Sequence, residues 1–158
     1  MKTILVAGAS LLIAAFFQGP PAIAPMKLGL WETTSSMKMS GAQMPQGMTI
    51  PNQTTKVRSC LTQESWTKNL GANQRTQNCT RSNEVYTPTR YSFDMSCPAN
   101  GMTGHFDMTF DSKESGHATM HMNVDRGGHA MTMDSTIDSH FVSADCGSVT
   151  PDKPVVVQ

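Results

Sequence analysis

Between residues 90 and 142 the chain alternates apolar and polar residues through four successive segments. Tyr91, Phe93, Met95 and Cys97 share one face of the first segment, with Ser92, Asp94 and Ser96 on the other. Met102, Phe106, Met108 and Phe110 repeat the pattern against Thr103, His105, Asp107 and Thr109. Ala118, Met120, Met122 and Val124 follow, then Met131, Met133 and Ile137. A strand's side chains change face at every residue, so such alternation marks half-buried antiparallel strands. Upstream, residues 28–39, 54–60 and 79–86 supply three further strand segments. Thr62 stands as the N-cap of a short helix over residues 63–70, with Gly71 as its C′ residue and Trp66 and Leu70 as its docking stripe. The expected fold class is mainly β: an antiparallel meander of about seven strands, a curled sheet or small barrel, with one short helix and two disulfides. Trp31, Phe93, Phe106, Phe110, Met108, Met120, Met122 and Met133 are the expected buried residues.

The N-terminus has the layout of a targeting segment. Lys2 precedes an uncharged apolar run over residues 4–17, Pro20 and Pro21 end it, and Ala22-Ile23-Ala24 offers a small-x-small cleavage pattern. Pro25 directly after that pattern opposes cleavage there, and an uncleaved anchor is the competing reading. The expected organisation is a signal peptide over 1–24, a single β-rich domain over 25–150 and a C-terminal tail over 151–158, in which Val155–Val157 is available as an edge strand. The protein is expected to be periplasmic or secreted, with no transmembrane segment after signal removal. Lys plus Arg and Asp plus Glu each number 12, so no charge excess favours a nucleic acid partner.

Leu, Ile and Val are sparse after the leader, which limits the core a chain of this length can build. The four cysteines, Cys60, Cys79, Cys97 and Cys146, all follow the leader, and none forms a C-x-x-C motif. In an oxidising compartment they read as two structural bridges with three possible pairings. Strand direction favours one of them. Cys79 and Cys97 are equidistant from Pro88, at one end of a hairpin, while Cys60 and Cys146 are delivered to the opposite end.

The ordered set Gly29-Leu30-Trp31-Glu32, a Met-rich Gly/Pro loop, Cys60-Leu61-Thr62, Cys79, Cys97-Pro98, Gly101-Met102-Thr103-Gly104, Met131-Thr132-Met133 and Asp145-Cys146 carries a resemblance. From about Gly29 to Cys146 the chain resembles a family of small exported bacterial proteins catalogued as a domain of unknown function (family 3617). The resemblance implies an exported β-rich domain and brings no activity, substrate or cofactor.

Two constellations carry chemical potential. Met37, Met39, Met44 and Met48 form an M-x-M-x4-M-x3-M run, and thioether sulfur suits Cu(I) and Ag(I). Met95, Met108, Met120, Met122, Met131 and Met133 read instead as fillers of an irregular core. On the polar face, pairing Met108 with Met120 and Met122 with Met133 sets Asp107 and Asp134 on either side of His121, with His105 diagonal to them. That patch reads either as a Zn(II) or Cu(II) site or as solvated cross-strand ion pairs. No G-x-S-x-G, H-E-x-x-H, phosphate loop or dinucleotide fingerprint is present. The sequence therefore reads as a monomeric, non-enzymatic binding or structural module of the cell envelope, without cofactor, that takes a partner or a small apolar ligand. The alternative is a soft-metal carrier built on Met37, Met39, Met44 and Met48.

Overall fold

The structure, a computed structural model, describes residues 23–41, 53–70, 79–126 and 129–157. Its elements are β1 (Gly29–Gly41), β2 (Gln53–Leu61), α1 (Gln63–Leu70), β3 (Thr80–Thr87), β4 (Arg90–Cys97), β5 (Met102–Phe110), β6 (Ser115–Arg126), β7 (His129–Ser143) and β8 (Val155–Val157). A 3₁₀ turn over Pro98–Asn100 joins β4 to β5. The strands form one eight-stranded sheet in the order β3-β4-β5-β6-β7-β1-β2-β8. All its pairings are antiparallel. The expected antiparallel sheet is present: β3 to β7 run as a meander, the β1–β2 hairpin joins it beside β7 and not beside β3, and the tail contributes an eighth strand by pairing Val155–Val157 with Lys56–Arg58.

The sheet does not close into a barrel. Its edges are unsuited to each other: β8 has three residues, and β3 is interrupted by a bulge between Ser82 and Val85. Short and bulged edge strands resist further pairing.

Register fixes two faces. Running across the sheet, Phe93 faces Phe106, which faces Met120. Tyr91 faces Met108, which faces Ala118. These positions share the inner face, which carries α1. His105, Asp107, His121 and Asp134 share the outer face. The β5–β6 pairing departs from the expected one by two residues, since Met108 meets Ala118 instead of Met120. The cause is a shorter turn: Phe110 already pairs with Gly116, closed by the Ser112 N–H to Ser115 carbonyl bond. A shift of two preserves both faces, whereas a shift of one would exchange them.

Helix α1 begins as its sequence suggests. The Ser65 N–H donates to Thr62 Oγ1 and the Thr62 N–H donates to Ser65 Oγ, a reciprocal cap with Ser in the usual Glu position. Gly71 lies outside the described residues. Trp66, 3% exposed, enters the core beside buried Tyr91 and Phe110, with Tyr86, Phe93, Met26 and Ala24 around them. Trp66 and Phe110 rings are 6.1 Å apart. A second packing point joins Trp31 to Phe141 edge-on at 5.9 Å, and the Trp31 indole donates to the Lys27 carbonyl.

Of the residues expected to be buried, Trp31, Phe110 and Met122 are. Phe93, Phe106, Met108, Met120 and Met133 are only half-buried. They lie on the inner face as expected, but α1 reaches only part of that face. Both bridges join the expected partners, Cys60 to Cys146 and Cys79 to Cys97. Cys60–Cys146 joins segments 86 residues apart, whereas Cys79–Cys97 closes the β3–β4 hairpin across 18; each contributes on the order of 2–4 kcal/mol.

If Trp66 is what holds α1 to the sheet, Trp66→Ala will lower the unfolding free energy by about 3–5 kcal/mol. The measurement is the urea midpoint at unchanged m-value. A loss below about 1 kcal/mol, typical of a surface substitution, would show that the helix is dispensable to the core.

Candidate functional site

The local event that builds the site is the bulge in β3. From the turn inward, Thr87 pairs with Arg90, Tyr86 with Tyr91 and Val85 with Ser92. Continued unbroken, this register would set Cys79 opposite Pro98 and turn Arg81 to the outer face. Two residues, Asn83 and Glu84, instead stand against Phe93 alone, and pairing resumes at Ser82 with Asp94. Asn83 takes the left-handed conformation at φ 51°, which Asn tolerates better than most residues. Its side-chain amide donates to Asp94 Oδ2 at 2.7 Å. The extra residue reverses the faces of the strand below it. Arg81 now pairs with Met95 on the inner face, and Cys79 meets Cys97.

Arg81 forms part of the wall of a half-open pocket of about 220 Å³. Phe93, Met95, Phe106, Met120 and Met122 supply its apolar lining, beside Cys79, His105 and Gly104. Gly104 keeps the floor low, since a Cβ there would lie 3.0 Å from Met122 Cγ and 2.8 Å from the His121 carbonyl oxygen. A cavity of ~150 Å³ with an apolar lining accepts benzene, so this one has room for a ring or a short alkyl group. The Arg81 guanidinium lies over the Phe93 ring, 4.5 Å from its centroid, and donates to Tyr91 Oη at 3.3 Å.

Beyond the pocket the inner face continues as methionine. Met122 pairs with Met133, and Met133 with Met39. One row along, Ser135 stands between Met120 and Met37. Directly opposed side chains have Cβ atoms about 4.5–5.5 Å apart, which puts neighbouring thioethers within reach of one another. Of the four methionines proposed as soft-metal ligands, the structure thus places Met37 and Met39 on this face, half-buried. Met44 and Met48 lie outside the described residues.

The outer face is organised by charge. Asp94, His105, His121 and Asp134 occupy successive partner positions across β4, β5, β6 and β7. His105 therefore faces His121 directly, where a diagonal was expected. His105 Nδ1 lies 2.6 Å from Asp94 Oδ1, and His121 Nδ1 lies 2.7 Å from Asp134 Oδ1. Asp107 is bound by Arg90, whose Nε donates to both carboxylate oxygens. The four residues do not converge: each imidazole turns to its own carboxylate on opposite flanks. Among the described residues no group of three or more His, Cys, Asp or Glu is placed to hold a metal ion. Hydrogen bonds lower the Asp94 carboxyl, chiefly from Asn83 and then from His105, while Arg90 lowers Asp107. The hydrogen bond to Asp111 raises His117.

In the sequence Glu32 stands only as the end of the Gly29–Glu32 motif, yet in the fold it is the most enclosed charge on the outer face among the described residues, 8% exposed. Lys56 and Arg58 each contact it at 3.0 Å, and His140 Nε2 stands 3.8 Å away. The spacing of Lys56 and Arg58, two residues apart on one strand face, was the available signal.

A profile of a protein family described as "Protein of unknown function (DUF3617)" matches residues 26–146. No curated protein and no solved structure matches.

Glu32 gives the outer face a measurable pH signature. Hydrogen bonds from Lys56, then Arg58, hold its carboxyl below the ordinary value of 4.5. A carboxyl lowered by folding contributes stability above its unfolded value, and the contribution disappears as pH falls through the folded value. Glu32→Gln is expected to melt at a lower temperature than the parent at pH 7, with the difference shrinking below about pH 4.5. A difference that stays constant down to about pH 3 would remove these ion pairs from the account of stability.

Proposed function

The chain belongs to the family of proteins of unknown function DUF3617, and we propose that this member is a non-enzymatic, extracytoplasmic module that binds a small apolar ligand on its inner face. The observation that carries the reading is the 220 Å³ pocket lined by Phe93, Met95, Phe106, Met120 and Met122. These residues share a face that α1 leaves partly exposed, and apolar side chains converging on an open concavity are the usual lining of a ligand site. Methionine suits such a lining because its unbranched, polarisable chain adapts to varied shapes. The export reading draws support from the two disulfides. No described helix is long and apolar enough to cross a membrane.

The test is fluorescence titration of the disulfide-intact protein with N-phenyl-1-naphthylamine. Saturable binding is expected. A Met95→Gln, Met120→Gln double variant, altered at two half-buried wall positions, is expected to raise Kd by at least about tenfold, or ~1.4 kcal/mol. Far-UV circular dichroism and the melting temperature establish that the variant folds. Saturable binding with the same Kd in both proteins would place the ligand elsewhere, and no binding would remove the apolar-ligand reading.

The opposed residues Met122, Met133 and Met39 favour a second reading. Three adjacent thioethers form a soft donor set for Cu(I) or Ag(I). This moves the centre of the proposed metal site from the Met44 and Met48 segment to the sheet. Titration with Ag(I) against a competing chelator is expected to give a Kd at or below about 1 μM. Binding should be lost in Met39→Leu, Met133→Leu and kept in Met44→Leu, Met48→Leu. The reverse pattern would return the site to residues 42–52.

A further inference from the structure

The pocket lining is apolar apart from Arg81 and His105, and the His105 imidazole is engaged by Asp94, its Nδ1 2.6 Å from Oδ1. Arg81 stands in its wall, placed there by the β3 bulge, which turns this residue inward. The guanidinium lies flat on Phe93 at 4.5 Å, so its orientation is held by stacking. Of its five donors, one N–H reaches Tyr91 Oη at 3.3 Å. Tyr91 Oη in turn donates to Glu84 Oε2 at 3.4 Å, so the nearest carboxylate is one hydroxyl removed. Among the described residues no carboxylate forms a direct ion pair with Arg81. The contrast with Arg90 is sharp, because Arg90 spends its fork on Asp107. A planar guanidinium with free donors beside an apolar cavity matches a carboxylate or phosphate that accepts two parallel hydrogen bonds.

We propose that the ligand is an anionic amphiphile. Its short alkyl or aryl part enters between Phe93, Met95, Phe106 and Met120, and its carboxylate or phosphate head is held by Arg81. The proposal rests on the apolar-ligand reading above and adds the class of head group. A neutral ligand of the same tail would fill the cavity and leave the Arg81 donors to water, so the head group sets selectivity.

The experiment measures displacement of N-phenyl-1-naphthylamine at pH 7.5 by four ligands with one tail: octanoate, octyl phosphate, octan-1-ol and octyltrimethylammonium. The two anions are expected to bind at least about tenfold tighter than the alcohol, in keeping with a charge-assisted pair. The cation is expected to bind weakest. In Arg81→Gln the anions should fall to the affinity of the alcohol, while the alcohol itself changes less than about twofold. Arg81→Lys, which keeps the charge without the fork, should restore part of the preference. If octanol matched octanoate in the parent, or if Arg81→Gln weakened all four ligands equally, the head-group assignment would be overturned while the apolar pocket stood. If none of the four displaced the probe, both readings would fall together. Melting temperatures of both Arg81 variants show whether a loss of binding is a loss of fold.

Discussion

Among the described residues one helix has to cover one sheet, and it is too small to do so. Eight helical residues extend about 12 Å at 1.5 Å each, while eight strands at about 4.8 Å spacing span roughly 33 Å. Trp66 therefore seals only the part of the inner face around Tyr91 and Phe110. The remainder, carrying Met95, Met120, Met133, Met39 and Met37, stays half-buried. An apolar surface left without a second layer is costly unless something else meets it. The geometry of the pocket follows from this shortage of cover.

The outer face meets the opposite problem, since it must hold many polar groups close together without penalty. It does so by pairing them across strands: Asp94 with His105, Asp134 with His121, Asp107 with Arg90 and Glu32 with Lys56 and Arg58. Most of these groups are well exposed, where single ion pairs are weak. Their larger effect is on register. Opposite charges directly across a ladder favour one alignment over its neighbours. The covalent bridges act in the same sense from the two ends, Cys60–Cys146 and Cys79–Cys97.

Much of this architecture was legible in the sequence because it depends on the two-residue period alone. The faces of β4 to β7, the helix start at Thr62 and the pairing of the cysteines follow from alternation, capping and strand direction. What escaped depends on counts of one or two residues in turns and bulges. The β5–β6 turn is tighter than its Ser- and Gly-containing segment suggested, so His105 meets His121 where Asp107 was expected. The bulge at Asn83 and Glu84 has no pattern of its own in a polar strand, and without it Arg81 reads as an outward residue. Glu32 sits in a strand among Thr and Ser, and its enclosure arises from β2 and β7, both distant in sequence. Of the proposed metal residues, Met37 and Met39 were placed by alternation, while the segment holding Met44 and Met48 offers no period to read.

Choosing sulfur for the inner face has a chemical consequence of its own. A wall of leucine or valine would be inert, but a thioether oxidises to a sulfoxide, which is polar and chiral. Met39 and Met133 are half-buried, so oxidants can approach them. Each oxygen added there would replace an apolar contact with a strong hydrogen-bond acceptor. The face that makes the groove adaptable is therefore also the part of the molecule that records exposure to oxidants, and the record is reversible wherever a sulfoxide reductase can reach it.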